Sequence, residues 1–166
     1  MSAGKETEAR QGALRAGSVL AATEYETSTV QVFRYSAATW NTHRIHYDKD
    51  YALAEGYPDV LVQSHLHGAL LARYCTDWIG ASGRLLELGL RVRRFAIAGE
   101  TLTVLGTVKA VQRLDDAHAA IALELIETRG SDGETCVSGS ARIEIPPDWL
   151  ASEASDEAAG NGRTPA

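Results

Sequence analysis

Basic charge, cysteine and long apolar runs are all scarce in this 166-residue chain. Each scarcity closes off a class of function. The formal net charge is −6, and an acidic surface is poorly suited to phosphate backbones, so no nucleic-acid partner is expected. No apolar run approaches the ~18 residues that a membrane-spanning helix needs, and no membrane association is expected. The stretch from Met1 to Gly17 is polar, mixed in charge and without an apolar signal-peptide segment. The two cysteines, Cys75 and Cys136, have neither metal-ligand spacing nor a disulfide framework around them. They predict reduced thiols in a cytoplasmic protein.

What is present suits one ordinary globular domain. Apolar residues make up 45% of the chain, enough to build a core and too many for a disordered segment. Both ends depart from that pattern. Residues 1–20 have little apolar periodicity, and the stretch from Ala151 to Ala166 is rich in Ala, Ser, Glu and Gly beyond Pro146-Pro147. The expected organisation is a flexible N-terminus over 1–20, a folded domain over 21–148 and a flexible tail over 149–166.

Within the folded part, Thr29 to Tyr35 (TVQVFRY) alternates and predicts a strand, and Asp59 to Gln63 predicts a short apolar strand. Ser64 to Trp78 is the clearest helix, with Leu66, Leu70, Leu71, Tyr74, Cys75 and Trp78 at helical spacing. Ser64 is a suitable N-cap, and Gly80 and Gly83 end the helix. Four strand-like stretches follow: Leu86–Ile97, Thr101–Leu114, Ala119–Thr128 and Thr135–Ile145. Short turns between them predict an antiparallel meander. One long helix on one face of such a sheet is an α+β arrangement.

The chemistry concentrates between Tyr35 and Ala52, YSAATWNTHRIHYDKDYA, where Asn41, His43 and His46 lie within six residues. A histidine can exchange protons near neutral pH, and an asparagine side chain can hold a water or a carbonyl. This segment resembles the Ser-Gly-Asp-x-Asn-Pro-(Leu/Ile)-His signature of the R-specific enoyl-CoA hydratases, the MaoC-like or hydratase 2 family. It is closer still to a subgroup reading Ser-Ala-x-Thr-(Phe/Trp)-Asn-x-His-x-Ile-His-Tyr-Asp. That subgroup includes 3-hydroxyacyl-thioester dehydratases and mesaconyl- or itaconyl-CoA hydratases. The stretch Arg73 to Gly80 is also similar to small MaoC-like subunits that hydrate steroid side-chain enoyl-CoA esters. The resemblance covers about Phe33 to Ile145.

The resemblance implies a hot-dog fold, a long central helix wrapped by a curled antiparallel sheet. It implies a lyase that adds or removes water across the α,β double bond of an acyl-thioester. The family histidine falls on His46, the family aspartate on Asn41 and the family asparagine on His43. An amide is not a base near neutral pH, so His46 is expected to transfer the proton while Asn41 positions water. His43 either supports His46 or packs the loop. The family oxyanion site, a His-Gly pair at the start of the central helix, falls on Gln63 and Ser64, with His65 beside them. Backbone N–H groups there suit a developing thioester oxyanion. Arg93 and Arg94 belong to the densest basic group (Arg91, Arg93, Arg94) and either meet a phosphate of CoA or lie on a solvated strand edge.

No cofactor is implied; CoA or an acyl carrier arrives as part of the substrate. No metal site is expected, since His65 and His67 are two apart on a helix and point to different faces. His67 is expected to be a satisfied or solvent-facing helix residue, and Cys75 a buried hydrophobe. Tyr35, Trp40 and Tyr47 either line an acyl pocket or join the core. Two other readings remain. A hot-dog thioesterase would place a carboxylate on the central helix, and Ser64 to Cys75 holds none. A non-catalytic acyl-binding subunit of a heteromer would explain asparagine at 41. Either way a homodimer or a heteromer with another MaoC-like chain is expected, because a single hot-dog unit leaves a sheet edge open.

Overall fold

The computed structural model describes residues 13–151. Among the described residues the chain forms β1 (Thr23–Glu26), α1 (Thr29–Thr39), a 3-10 turn (Arg44–His46), α2 (Lys49–Ala54) and α3 (Ser64–Ile79). Then come β2 (Arg84–Val92), β3 (Thr101–Arg113), β4 (Ala119–Arg129) and β5 (Thr135–Ile145). The strands make one antiparallel sheet in the order β1-β3-β4-β5-β2. The α+β class and the hot-dog architecture, a helix embraced by a curled sheet, are as expected.

The helix α3 sits where its apolar spacing requires. Leu66, Leu70, Leu71, Tyr74, Cys75 and Ile79 are buried in one cluster with Val104, Leu125 and Val137 of the sheet. Two sheet positions allow the close approach. A Cβ on Gly139 would lie 2.9 Å from Leu71 Cδ2 and from the Gly89 carbonyl oxygen. A Cβ on Gly106 would lie 3.1 Å from the Tyr74 ring. Tyr74 Oη then donates to Ala21 O (3.0 Å) and accepts from Gly106 N–H (3.0 Å), so the one polar atom of that side chain is satisfied in the core.

Several expected elements change. Thr29–Tyr35 is not a strand but most of α1. Ser28 caps the helix by accepting from Gln31 N–H, and Val32 and Ser36, four residues apart, are its buried face; that period outweighs the apparent alternation. Asp59–Gln63 is extended but pairs only through one bridge, Leu61 with Ile97. The strand expected to reach Ile97 stops at Val92, because the N–H groups of Arg93 and Arg94 both turn onto the Cys136 carbonyl (2.7 and 3.2 Å). The meander is also partial. β3, β4 and β5 are neighbours in order, but β2 pairs with β5 and lies at the edge. Ser64 does not cap α3; Gln63 takes the N-cap position and Ser64 is the first helical residue.

The packed unit also extends beyond 21–148 on both sides. Leu14 is 6% exposed and Leu20 5%. Leu14 bridges to Leu150, and Trp149 is buried edge-on against Trp78 with ring centroids 5.6 Å apart. Segments 13–20 and 149–151, expected to be flexible, thus contribute buried apolar side chains to the packed unit. The remainder of those expectations, on 1–12 and 152–166, lies outside the described residues. No described helix is long and apolar enough to cross a membrane.

Gly139→Ala is expected to cost about 1–3 kcal/mol, because the new methyl meets backbone as well as Leu71. Urea unfolding of the two proteins checks it; an unchanged midpoint would mean that the sheet and α3 separate without strain.

Candidate active site

The loop after α1 begins with a sharp reversal. Trp40 takes the left-handed conformation (φ 54°), and its N–H and that of Asn41 both return to the Ser36 carbonyl. This ends the helix as an αL cap does, here without glycine. Asn41 Oδ1 then accepts the His43 N–H at 3.2 Å, closing an Asx turn. Tyr47 Oη donates to Thr42 O at 2.8 Å, which folds the loop back on itself. The turn Arg44–His46 follows, held outside by the Arg44–Asp48 ion pair and by Arg44 stacked 4.5 Å over the Tyr51 ring. The loop is thus compact while presenting polar groups.

His46 is half-buried, and its Nδ1 lies 2.9 Å from the Leu61 carbonyl oxygen. A carbonyl only accepts, so Nδ1 carries the hydrogen and Nε2 keeps its lone pair. Burial lowers the pKa of this imidazole below its ordinary value; the Leu61 hydrogen bond opposes that and the nearby His43 adds to it. The result is a neutral base at working pH. His43 itself is exposed, with its ring centroid 6.0 Å from that of His46 and 6.4 Å from that of Tyr51.

Gln63, Ser64 and His65 open α3. Helix geometry leaves the N–H groups of Ser64 and His65 without an intrahelical acceptor, at the positive end of the dipole. Both residues are exposed. The Gln63 side chain does something else. It is fully buried, and its Nε2 donates to Val32 O (2.6 Å) and Ser36 Oγ (2.9 Å) of α1. The structure therefore brings Asn41, His43 and His46 into one loop, and ties that loop to the approach to α3.

Trp40 and Tyr47 are not core residues: they are 84% and 40% exposed. With Phe33, Ala37, Asn41 and Thr42 they line a cleft of about 170 Å³. An apolar cavity near that size holds a single benzene ring. Tyr35 instead packs against the core. The arginines are engaged elsewhere. Arg93 Nε donates to Ser138 Oγ (2.9 Å), and Arg94 pairs with Glu134 at 2.5 Å.

One buried polar pair was invisible to the motif. His67 is not on the surface; it is 1% exposed and its Nδ1 lies 2.5 Å from Glu127 Oε1 on β4. The signal for Glu127 was the alternation Ile121, Leu123, Leu125, Glu127, which puts a carboxylate in an inward register. Cys75 and Cys136 are free and buried, and burial pushes both thiols up to about 11, the behaviour of inert hydrophobes. Among the described residues no group of three or more His, Cys, Asp and Glu could hold a metal ion.

Comparison with known proteins converges on one group. The family described as hydroxyacyl-thioester dehydratase type 2 matches residues 2–98. The beta subunit of 3-oxo-4,17-pregnadiene-20-carboxyl-CoA hydratase of Mycobacterium tuberculosis is 38% identical over 74 residues, 45% of this chain and 57% of that protein. The mesaconyl-C(4)-CoA hydratase of Chloroflexus aurantiacus is 55% identical over 42 residues, 25% of this chain and 14% of that protein. These matches span less than two thirds of either relative. Among solved structures, the ChsH1-ChsH2 complex from Mycobacterium tuberculosis aligns with a TM-score of 0.68 at 25% identity. That alignment covers 78% of this chain and 97% of the other.

If His46 acts as the neutral base, the rate must rise with pH as its imidazole loses a proton. Because the pKa is lowered, the acid limb of kcat/KM is expected below 6.5, the ordinary histidine value. His43→Ala should move that limb upward, since His43 adds to the lowering of the His46 pKa. A limb at or above 6.5 in the parent protein would assign the titration to another group.

Proposed function

Since the chain belongs to the type 2 hydroxyacyl-thioester dehydratase family, we propose that it adds water to, or removes it from, the α,β double bond of an acyl-thioester. The observation that carries this reading is the His46 tautomer: Nδ1–H is spent on Leu61 O, so Nε2 is free to accept a proton. In the hydration direction Nε2 takes a proton from water as the oxygen bonds to the β-carbon. The double-bond electrons pass to the thioester oxygen as an enolate. The imidazolium then returns its proton to the α-carbon, and the carbonyl re-forms. The N–H groups of Ser64 and His65 supply the positive end of a helix to the enolate oxygen. Asn41 keeps its NH₂ group for the attacking water, since its oxygen already serves His43.

This scheme requires no cofactor of the protein's own; CoA or an acyl carrier comes with the substrate. Arg93 is the candidate for a CoA phosphate, because exchanging its Ser138 bond costs less than breaking the Arg94–Glu134 ion pair. The free, buried thiols fit a reducing cytoplasm, which cell fractionation reads directly. A partner chain of the same fold, identical or related, fits the edge strand β2, where Leu90 and Val92 are 39% and 36% exposed. The subunit nature of one relative and the complex formed by one structural neighbour support that reading.

Purified protein is expected to bleach the conjugated enoyl-thioester absorbance of crotonyl-CoA. His46→Ala should slow this by about 10²–10⁴-fold, the contribution of a positioned general base. Full activity in that variant would end the assignment. Light scattering on the same preparation should show at least a dimer, and an active monomer would remove the β2-edge proposal.

A further inference from the structure

The two candidate catalytic residues belong to a loop that makes no strand pairing of its own, yet both are held by the same three residues, Leu61 to Gln63. On one side, the Leu61 carbonyl takes the His46 Nδ1–H (2.9 Å), and Leu61 N–H donates to Ile45 O (2.9 Å). On the other side, Gln63 Nε2 grips Ser36 Oγ (2.9 Å) and Val32 O (2.6 Å). Ser36 is the residue whose carbonyl receives the Asn41 N–H (2.9 Å). The Gln63 carbonyl accepts from Leu66 and His67 N–H, the first turn of α3. One residue thus contacts the end of α1 with its side chain and the start of α3 with its backbone.

Gln63 is also placed at a cost. Its Oε1 has no hydrogen-bond partner among the described residues although the residue is fully buried. An apolar side chain would avoid that penalty. The opposite amide orientation would set oxygen against the Val32 carbonyl oxygen, so the donor must face α1. Both Nε2 hydrogens are taken by α1, so this side chain is not available to donate to a substrate oxygen.

We propose that Gln63 is a positioning residue, which sets Asn41 against His46 by clamping Ser36, rather than an oxyanion donor. This rests on the hydratase reading for its kinetic consequence but not for its structural one. Displacement of a reacting group by about 1 Å costs on the order of 10²-fold in rate. The loss therefore belongs in kcat, with substrate affinity little changed.

The test compares Gln63→Leu, Ser36→Ala and Ser36→Thr with the parent protein. Hydrogen exchange of the Asn41 amide is followed first, because it needs no turnover. Gln63→Leu is expected to speed Asn41 exchange at least about tenfold while amides in the middle of α3 keep their protection. Ser36→Ala should do the same to a smaller extent, and Ser36→Thr, which keeps a hydroxyl, should restore protection. With crotonyl-CoA, kcat should fall at least about tenfold in Gln63→Leu with KM within about twofold. The double variant Gln63→Leu/Ser36→Ala should be no worse than Gln63→Leu, since both changes cut one link. Unchanged Asn41 exchange in Gln63→Leu, or in Ser36→Ala if the former does not fold, overturns the proposal. So does a rise in KM at constant kcat, the result expected of a substrate contact. Absence of crotonyl-CoA turnover in the parent protein would count against the hydratase reading alone, and the exchange result would still decide the clamp.

Discussion

The backbone pairing of Val60–Val62 with Ala96–Ala98 is the constraint from which the site is built. Val62 N–H donates to Ala96 O and Ala98 N–H to Val60 O, both at 2.9 Å, with Val60, Leu61, Val62 and Ala96 buried. This short extended segment enters directly into α3, so the helix N-terminus inherits its position from the crossing between β2 and β3. The loop that carries Asn41 and His46 then hangs on the same segment by the Leu61 carbonyl and N–H and, through α1, by the Gln63 carboxamide. Loops are usually less rigid than the elements they join, and a catalytic group held only by its own loop would share that mobility. Here the loop borrows rigidity from the core through Leu61 and Gln63.

The same segment sets the electrostatics of His46. Burial against it depresses the proton affinity of the ring, while the Leu61 carbonyl chooses which nitrogen carries the hydrogen. The two effects serve one end. A neutral imidazole with a free Nε2 needs no carboxylate to hold it, and the residue that is aspartate in the common family pattern is asparagine here. An aspartate in this loop would add a negative charge that favours the imidazolium; an amide adds none, and burial is the leading influence on His46. Substitution at 41 and tautomer control at 46 are therefore consistent with each other in physical terms.

Much of this was legible in the sequence where a period runs undisturbed. Thr135–Ile145 forms a strand over its whole expected length, and α3 follows its apolar spacing to within one residue. Asn41 and His46 stand out as a candidate pair in the sequence through the resemblance to the family signature. What stayed hidden depended on contacts distant in sequence. TVQVFRY alternates by chance, and only the Ser28 cap and the burial of Val32 with Ser36 decide for a helix. The pairing of β2 with β5 rather than β3 is a choice of edge that no local pattern encodes. Gln63 enters the oxyanion site only through the resemblance to the family's His-Gly pair, and its side-chain partners Ser36 and Val32 lie 27 and 31 residues away.

The pair His67–Glu127 completes the polar line begun by Gln63, one helical turn further along α3. Stability is a poor account of it: a buried polar pair is often matched or exceeded by apolar residues of like volume, and His67 Nε2 and Glu127 Oε2 each lack a partner among the described residues. Directionality is the better account. The leucines of α3 contact the sheet through apolar surface, which resists separation but is indifferent to small sliding. A hydrogen bond weakens steeply with distance and angle. The His67–Glu127 bond to β4 and the Tyr74 bond from the Gly106 N–H on β3 are the directional links that oppose such sliding of α3 along the sheet.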